Sequence, residues 1–243
     1  MARRARTRYV PLMNRMHPTD EHEAAALIRG RRVVVDGRII DNPNAWIPAQ
    51  ASVVIRAARP LRGTVKLRAA LERSKVKPRA KACLDVGAAA GGFTFALIEA
   101  GARTVYAVDT GYGQLLGALR QDPRVVNLER VNLAHLDRSL IPEEIDLVTI
   151  DLSYVPLAAG LGQLHRVGLS PSADLLALVK PTFELRAGRP VREPAEIYEA
   201  VGLAVRAADD AGWRTIETFP SILPGAGGTP EVILHARRPH PVW

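Results

Sequence analysis

The chain has 243 residues, 47% of them hydrophobic and 24% charged, a composition that places it among soluble globular proteins with room for one large domain or a large and a small one. No apolar run approaches the length of a membrane span, and the basic opening "MARRARTRYV" leads into no apolar signal-peptide core. The single cysteine, Cys83, excludes an internal disulfide and a cysteine metal cluster and fits a cytoplasmic location.

The net charge of +8 is unevenly placed. Residues 1–80 hold 18 basic and 6 acidic side chains, whereas residues 81–243 are net negative. Phosphate backbones reward such a distribution, because each neutralised phosphate releases counterions. The plain alternative is a basic tail with no partner. The size of the asymmetry, and its coincidence with a domain boundary, favour a nucleic acid.

In chain order, "HPTDEHEAAALIRG" reads as a helix capped by Thr19 or Asp20, with Glu23 in capping-box position and Gly30 at its end. Asp36-Gly37 between β-rich runs signals a two-residue hairpin, and Ala51–Ile55 reads as a further strand. Residues 1–58 thus form a small α+β domain with an arginine cluster at Arg29, Arg31 and Arg32, in which Pro11 interrupts the first helical stretch. Residues 59–64 are the linker, and a helix that Thr64 could cap opens the second domain, 65–243. From Lys81 onward, strands at 82–86, 104–108, 125–129, 147–150, 175–179, 215–220 and 231–236 alternate with helices at 93–100, 114–119, 157–165 and 194–211. Such alternation predicts an α/β fold: a doubly wound, Rossmann-like parallel sheet that binds ligand at the carboxyl ends of its strands.

The loop Gly87–Gly92 carries the first chemical signal. It is neither G-x-G-x-x-G nor a P-loop, so a nicotinamide cofactor is disfavoured. Asp85 ends the strand before it and Asp109 ends the next strand, where an acid can bond a ribose hydroxyl pair. A ligand with an amino acid part, a cation and a ribose suits the set, and S-adenosylmethionine has all three. The structural alternatives are a loop-bracing hydrogen bond for Asp85 and a capping role for Asp109. Asp151 and Lys180 each follow an apolar strand on the ligand edge; their alternatives are a helix cap and a snorkelling lysine. Lys66 and Glu231 carry less signal alone, as an exposed helical lysine and the start of the last strand.

The ordered run "GTVKLRAALE", "CLDVGAAAGGFT", "AVDTGYGQL", "DPRVVNLERVN", "DLVTIDLSYVPL", "LLALVKPTFE" and "GGTPEVIL" resembles the TlyA-type ribosomal RNA ribose methyltransferases, a branch of the FtsJ-type 2′-O-methyltransferases. The N-terminal part is similar to that family's RNA-binding domain, of the kind first seen in ribosomal protein S-four. The resemblance implies a Lys-Asp-Lys-Glu catalytic tetrad at Lys66, Asp151, Lys180 and Glu231. It implies an S-adenosylmethionine site at Asp85, Gly87, Gly91, Gly92, Phe93 and Asp109, with adenine near Asn132, no metal, and ribosomal RNA or ribosomal subunits as partner. Lys180 would then activate the ribose hydroxyl, Asp151 and Glu231 would orient the lysines, and Lys66 would position hydroxyl and phosphate. The chain departs from the family pattern at Ala90, in the glycine-poor "LRAGRPVREP", and at Pro230, which restrains the approach to Glu231. Two further readings compete: an RNA-binding factor without turnover, and a methyltransferase of a nucleoside-like small molecule. The basic N-terminal third opposes the second of these.

Overall fold

A computed structural model describes residues 7–16, 20–56 and 60–239. Two compact units divide the chain, Met1–Arg59 and Pro60–Trp243. Among the described residues, no helix is long and apolar enough to cross a membrane.

The first unit runs β1 (Tyr9–Pro11), α1 (Leu12–Met16), α2 (Glu21–Arg29), β2 (Val33–Val35), β3 (Arg38–Ile40), β4 (Trp46–Pro48) and β5 (Val53–Ile55). Pro11 does not interrupt a helix: it ends β1, which pairs antiparallel with β4, and α1 begins at the next residue. Lacking an N–H, proline sits without loss at the end of such a two-strand ribbon. Asp20 caps α2 by accepting the N–H groups of His22 and Glu23, at 2.8 and 3.4 Å; Thr19 lies outside the described residues. Asp36 and Gly37 both have positive φ, +46° and +81°, the requirement of a type I′ turn, and they join β2 to β3. Leu12, Ile28, Val33, Val35 and Ile47 close the small core.

The second unit opens with α3 (Arg62–Ser74) and continues β6 (Ala82–Val86), α4 (Gly92–Glu99), β7 (Thr104–Asp109), α5 (Gly117–Arg120), β8 (Val125–Glu129), β9 (Ile145–Ile150), α6 (Leu157–Leu161), β10 (Leu169–Val179), α7 (Pro181–Glu184), α8 (Pro194–Asp210), β11 (Arg214–Pro220) and β12 (Val232–Arg237). Seven strands form one sheet in the order β11-β12-β10-β9-β6-β7-β8. Helices α3 and α4 bury Leu67, Leu71, Phe93 and Leu97 on one face, and α6 and α8 bury Leu157, Leu161, Ala204 and Ala208 on the other.

The sheet is parallel except at β12, which runs against both neighbours. The connection between β11 and β12 holds one short 3-10 turn, Ala226–Gly228, and no crossover helix, and such a connection returns the chain antiparallel. Two helical expectations also shift. Thr64 lies inside α3, not at its cap, and its hydroxyl donates to the Gly92 carbonyl at 2.8 Å. The predicted helix at 114–119 starts at Gly117, because the Glu129 carboxylate takes the N–H groups of Gln114 and Leu115 at 3.1 and 3.3 Å.

The Asp20 cap is isolated enough to test. Asp20→Ala should destabilise the first unit by about 1 kcal/mol, read as a lower midpoint in thermal unfolding, and Asp20→Asn should recover most of it.

Candidate active site

The turn after β6 is built from close backbone contacts. Gly87 has φ +85°, and a Cβ there would lie 2.6 Å from the carbonyl oxygen of Asp151. Gly91, φ +91°, faces the side chains of Leu119 and Leu115, and a Cβ at Gly92 would meet the Cα of Gly63 at 3.0 Å. The glycines therefore let protein segments pack against one another.

Asp85 is fully buried. Thr94 and Thr149 donate their hydroxyls to its two oxygens at 2.6 and 3.0 Å. Burial outweighs those bonds and pushes its carboxyl up to about 6. Asp85 is thus a bracket between β6, α4 and β9, and it reaches a ligand only through the turn it braces. The Phe93 side chain lies in the core, so it can serve a ligand only through its backbone. Asp109 is half-buried and accepts the N–H groups of Ala89 and Gly111 at 2.8 and 2.7 Å. Asn132 is exposed and caps the short turn Leu133–His135 by accepting the Ala134 N–H at 3.0 Å.

Two lysine–carboxylate pairs stand at the same edge of the sheet. Lys66, on α3, pairs with Glu231, and their side chains are only 8% and 6% exposed. Pro230 does not swing Glu231 out. The chain folds back so that the Ser221 N–H binds the Glu231 carbonyl at 2.9 Å, and the bare Cα of Gly225 lies against the carboxylate, where a side chain would overlap it. The antiparallel register ends at Val179↔Val232, which leaves Lys180 and Glu231 side by side beyond the last pair. Both line a cavity of about 240 Å³ with Thr182, Phe183, Arg189 and Thr229. Lys180 Nζ lies 2.6 Å from Asp151 Oδ1 and donates to Ser153 Oγ at 2.9 Å. The structure thus gathers all four tetrad positions at the carboxyl edge.

Sequence reasoning passed over Ser153 and Glu184. The only signal for them is position: Ser153 follows Asp151 by two residues and Glu184 follows Lys180 by four. Glu184 accepts the Leu157 N–H at 2.9 Å, and burial pushes its carboxyl up to about 7. Between these anchors Tyr154, φ +72° and 87% exposed, meets Phe183 at 5.3 Å between ring centroids.

The family model of the FtsJ-like methyltransferases matches residues 60–237. The chain is 38% identical over 247 residues to the 16S/23S rRNA (cytidine-2′-O)-methyltransferase TlyA of Mycobacterium tuberculosis, covering 98% of this chain and 91% of that protein. A solved Streptococcus thermophilus protein labelled a hemolysin superposes with a TM-score of 0.71 at 26% identity, over 96% of this chain and 89% of its own. An S-adenosylmethionine dependent methyltransferase from Mesorhizobium loti shares the fold, with a TM-score of 0.51 at 18% identity over 70% of this chain and 96% of that one.

Glu184 yields a pH test. Its folded carboxyl holds a proton more tightly than the ordinary value of 4.5. Its contribution to stability is therefore full below that value and is lost as pH rises through about 7. Glu184→Gln is neutral throughout, so the drop in melting temperature between pH 5 and pH 8 should shrink by roughly 2–4 °C, equivalent to ~1 kcal/mol. Equal drops in both proteins would show that burial at Glu184 does not perturb it. Gly225→Ala should displace the Glu231 carboxylate and lower the melting temperature by a similar amount, whereas Gly227→Ala, in open space but at φ +65°, should carry backbone strain alone and leave the Glu231 contact intact.

Proposed function

We propose that this chain, which belongs to the FtsJ-like methyltransferase family, transfers a methyl group from S-adenosylmethionine to a ribose 2′-hydroxyl of ribosomal RNA. The observation that carries the reading is the convergence of Lys66, Asp151, Lys180 and Glu231 beside the Gly87–Gly92 turn.

The residues present fit the donor. Lys180 occupies Asp151 Oδ1, which is buried, at 2.6 Å, while the Asp151 side chain remains 25% exposed, which leaves acceptor capacity on its other oxygen for a cationic group. Asp109, half-buried at the end of β7, has acceptor capacity left after two backbone bonds, as a ribose diol needs. The turn between them bears no charged side chain. Asp85 supports this site through Thr94 and Thr149, and Asn132, exposed, is the candidate contact for adenine. When bound, the donor supplies an electrophilic sulfonium methyl.

The chain's own residues then act on the acceptor. A ribose hydroxyl is a weak nucleophile at neutral pH and must be held in line at near-attack distance. Lys180, in the cavity wall, donates a hydrogen bond to the hydroxyl oxygen and so favours its alkoxide character, the proton leaving to solvent as the O–CH3 bond forms and the sulfonium C–S bond breaks. Asp151 lies against that lysine at 2.6 Å. Lys66, locked on Glu231, adds fixed positive charge that favours alkoxide character. The first unit, with Arg29, Arg31, Arg38 and Arg56 exposed, grips the RNA backbone. The target ribose is expected to belong to cytidine, as it does by name in the Mycobacterium tuberculosis relative. The buried, paired Lys66 and Glu231 argue against a factor without turnover, since an unused ion pair is costly to keep buried.

The test is transfer of labelled methyl to unmethylated small subunits, large subunits, whole ribosomes and naked ribosomal RNA. One of these should take label that resists alkali at the ribose. Lys180→Ala should lower kcat by roughly 10²–10⁴-fold, with donor affinity within about twofold of wild type in calorimetry. Label on a base, or near-normal turnover by Lys180→Ala, would overturn the assignment.

A further inference from the structure

Lys180 makes two contacts of different character. Its ammonium lies 2.6 Å from Asp151 Oδ1, yet that oxygen accepts no aligned hydrogen bond. The aligned bond is the one to Ser153 Oγ at 2.9 Å. A Coulombic contact depends on distance alone, whereas a hydrogen bond depends steeply on angle. Asp151 therefore supplies charge to Lys180 without setting where its N–H groups point. From this division of labour we propose that Ser153 is a positioning residue, whose hydroxyl sets the direction of the Lys180 ammonium and so aims its remaining N–H bonds into the cavity it shares with Glu231.

The surroundings leave this task to Ser153. The Phe183 ring centroid is 6.0 Å from Nζ, the limit of a cation–π contact, and so adds little direction. Glu231 is committed to Lys66, Arg189 to Glu196 and Glu184 to the Leu157 N–H. Lysine is a compact cation on a flexible stem with three equivalent donors. One acceptor carried on an anchored segment narrows that rotational freedom, even though Ser153 itself is exposed. Ser153 is itself held at both ends of its segment: Asp151 follows β9 with its N–H on the Val86 carbonyl at 2.9 Å, and Leu157 is anchored by Glu184. A side chain on the same short segment as the charge partner thus sets the geometry, and a hydrogen bond from Nζ to the ribose oxygen requires the two within about 2.6–3.2 Å.

The role as stated rests on the reaction proposed above, so the experiment carries one readout that needs no reaction. Ser153→Ala and the nearly isosteric pair Ser153→Thr and Ser153→Val are compared with wild type. Ser153→Ala and Ser153→Val should lower kcat by about tenfold, the scale of one hydrogen bond to a charged group, with KM for the RNA and donor affinity within about twofold. Ser153→Thr should restore most of the loss. In protein labelled with ¹⁵N at its five lysines, the Lys180 Nζ resonance, assigned by its absence in Lys180→Ala, should move in the Ala and Val variants and stay near wild type in Thr. Wild-type kcat in Ser153→Ala, or equal rates for Thr and Val, would overturn the proposal. Should wild type transfer no methyl to any RNA while the resonance still responds to the hydroxyl, the assigned reaction falls and the control of Lys180 by Ser153 stands.

Discussion

The constraint on which the candidate site depends is the burial of Lys66 against Glu231. Removing two charges from water costs several kcal/mol per ion, and stripping one partner from such a pair costs about 3–5 kcal/mol. The chain around the pair is shaped to avoid that. Gly225 leaves room for the carboxylate, the Ser221 N–H ties the Glu231 backbone, and the close approach of Gly63 to Gly92 seats α3 against α4 so that Lys66 reaches the edge. Hydrophobic packing of α3 through Leu67, Ala70 and Leu71 supplies the framework, and the ion pair sets its register against the last strand.

Beside this closed pair stands an open one. Lys180 and Asp151 are partly exposed, and the cavity gives the lysine access to a ligand. The two carboxyls nearest the glycine turn differ as well. Asp85 is sealed, bonded by two hydroxyls and lifted toward neutrality, with the charge of Asp151 adding to the lift. Asp151 is partly exposed and its Oδ1 is held by the Lys180 ammonium. A closed ion pair, an open one and a sealed carboxyl brace thus share one edge of the sheet, which is how a rigid scaffold presents a reactive edge.

Much of this was legible in the sequence, and what was not has physical causes. The apolar runs at 82–86 and 104–108 form strands with nearly those bounds, because strands buried on both faces write themselves as continuous hydrophobic stretches, and the half-buried edge strand at 125–129 also keeps its bounds. The Asp36-Gly37 turn was readable because few residues tolerate two positive φ angles in succession. The direction of β12 was not, since an apolar strand carries no mark of polarity. Nor were the short strands β1 and β4, which are too brief to show a period and contain Pro11 and Pro48. At the site, residue types signalled Asp151 and Lys180 because a charge ending an apolar strand is conspicuous. Ser153 and Glu184 act through angles and burial that spacing does not encode. For Asp85 the sequence allowed a ligand contact and a structural bond together, and the bonds from Thr94 and Thr149 supply the second.

The reversed strand β12 has a consequence for how the protein is made. Running against its neighbours, it begins at the edge where the parallel strands end, so Glu231 arrives there from the last strand of the sheet. Its partner Lys66 lies 165 positions earlier, on the helix that opens the second unit. A contact of such long sequence separation closes late in folding. As the chain leaves the ribosome, the glycine turn, the Asp85 bracket and the Asp151 edge are all synthesised while Lys66 still lacks its counter-ion. A nascent chain therefore carries most of a methyltransferase scaffold with an unfinished edge, and it becomes complete only as its final strand slides between β10 and β11.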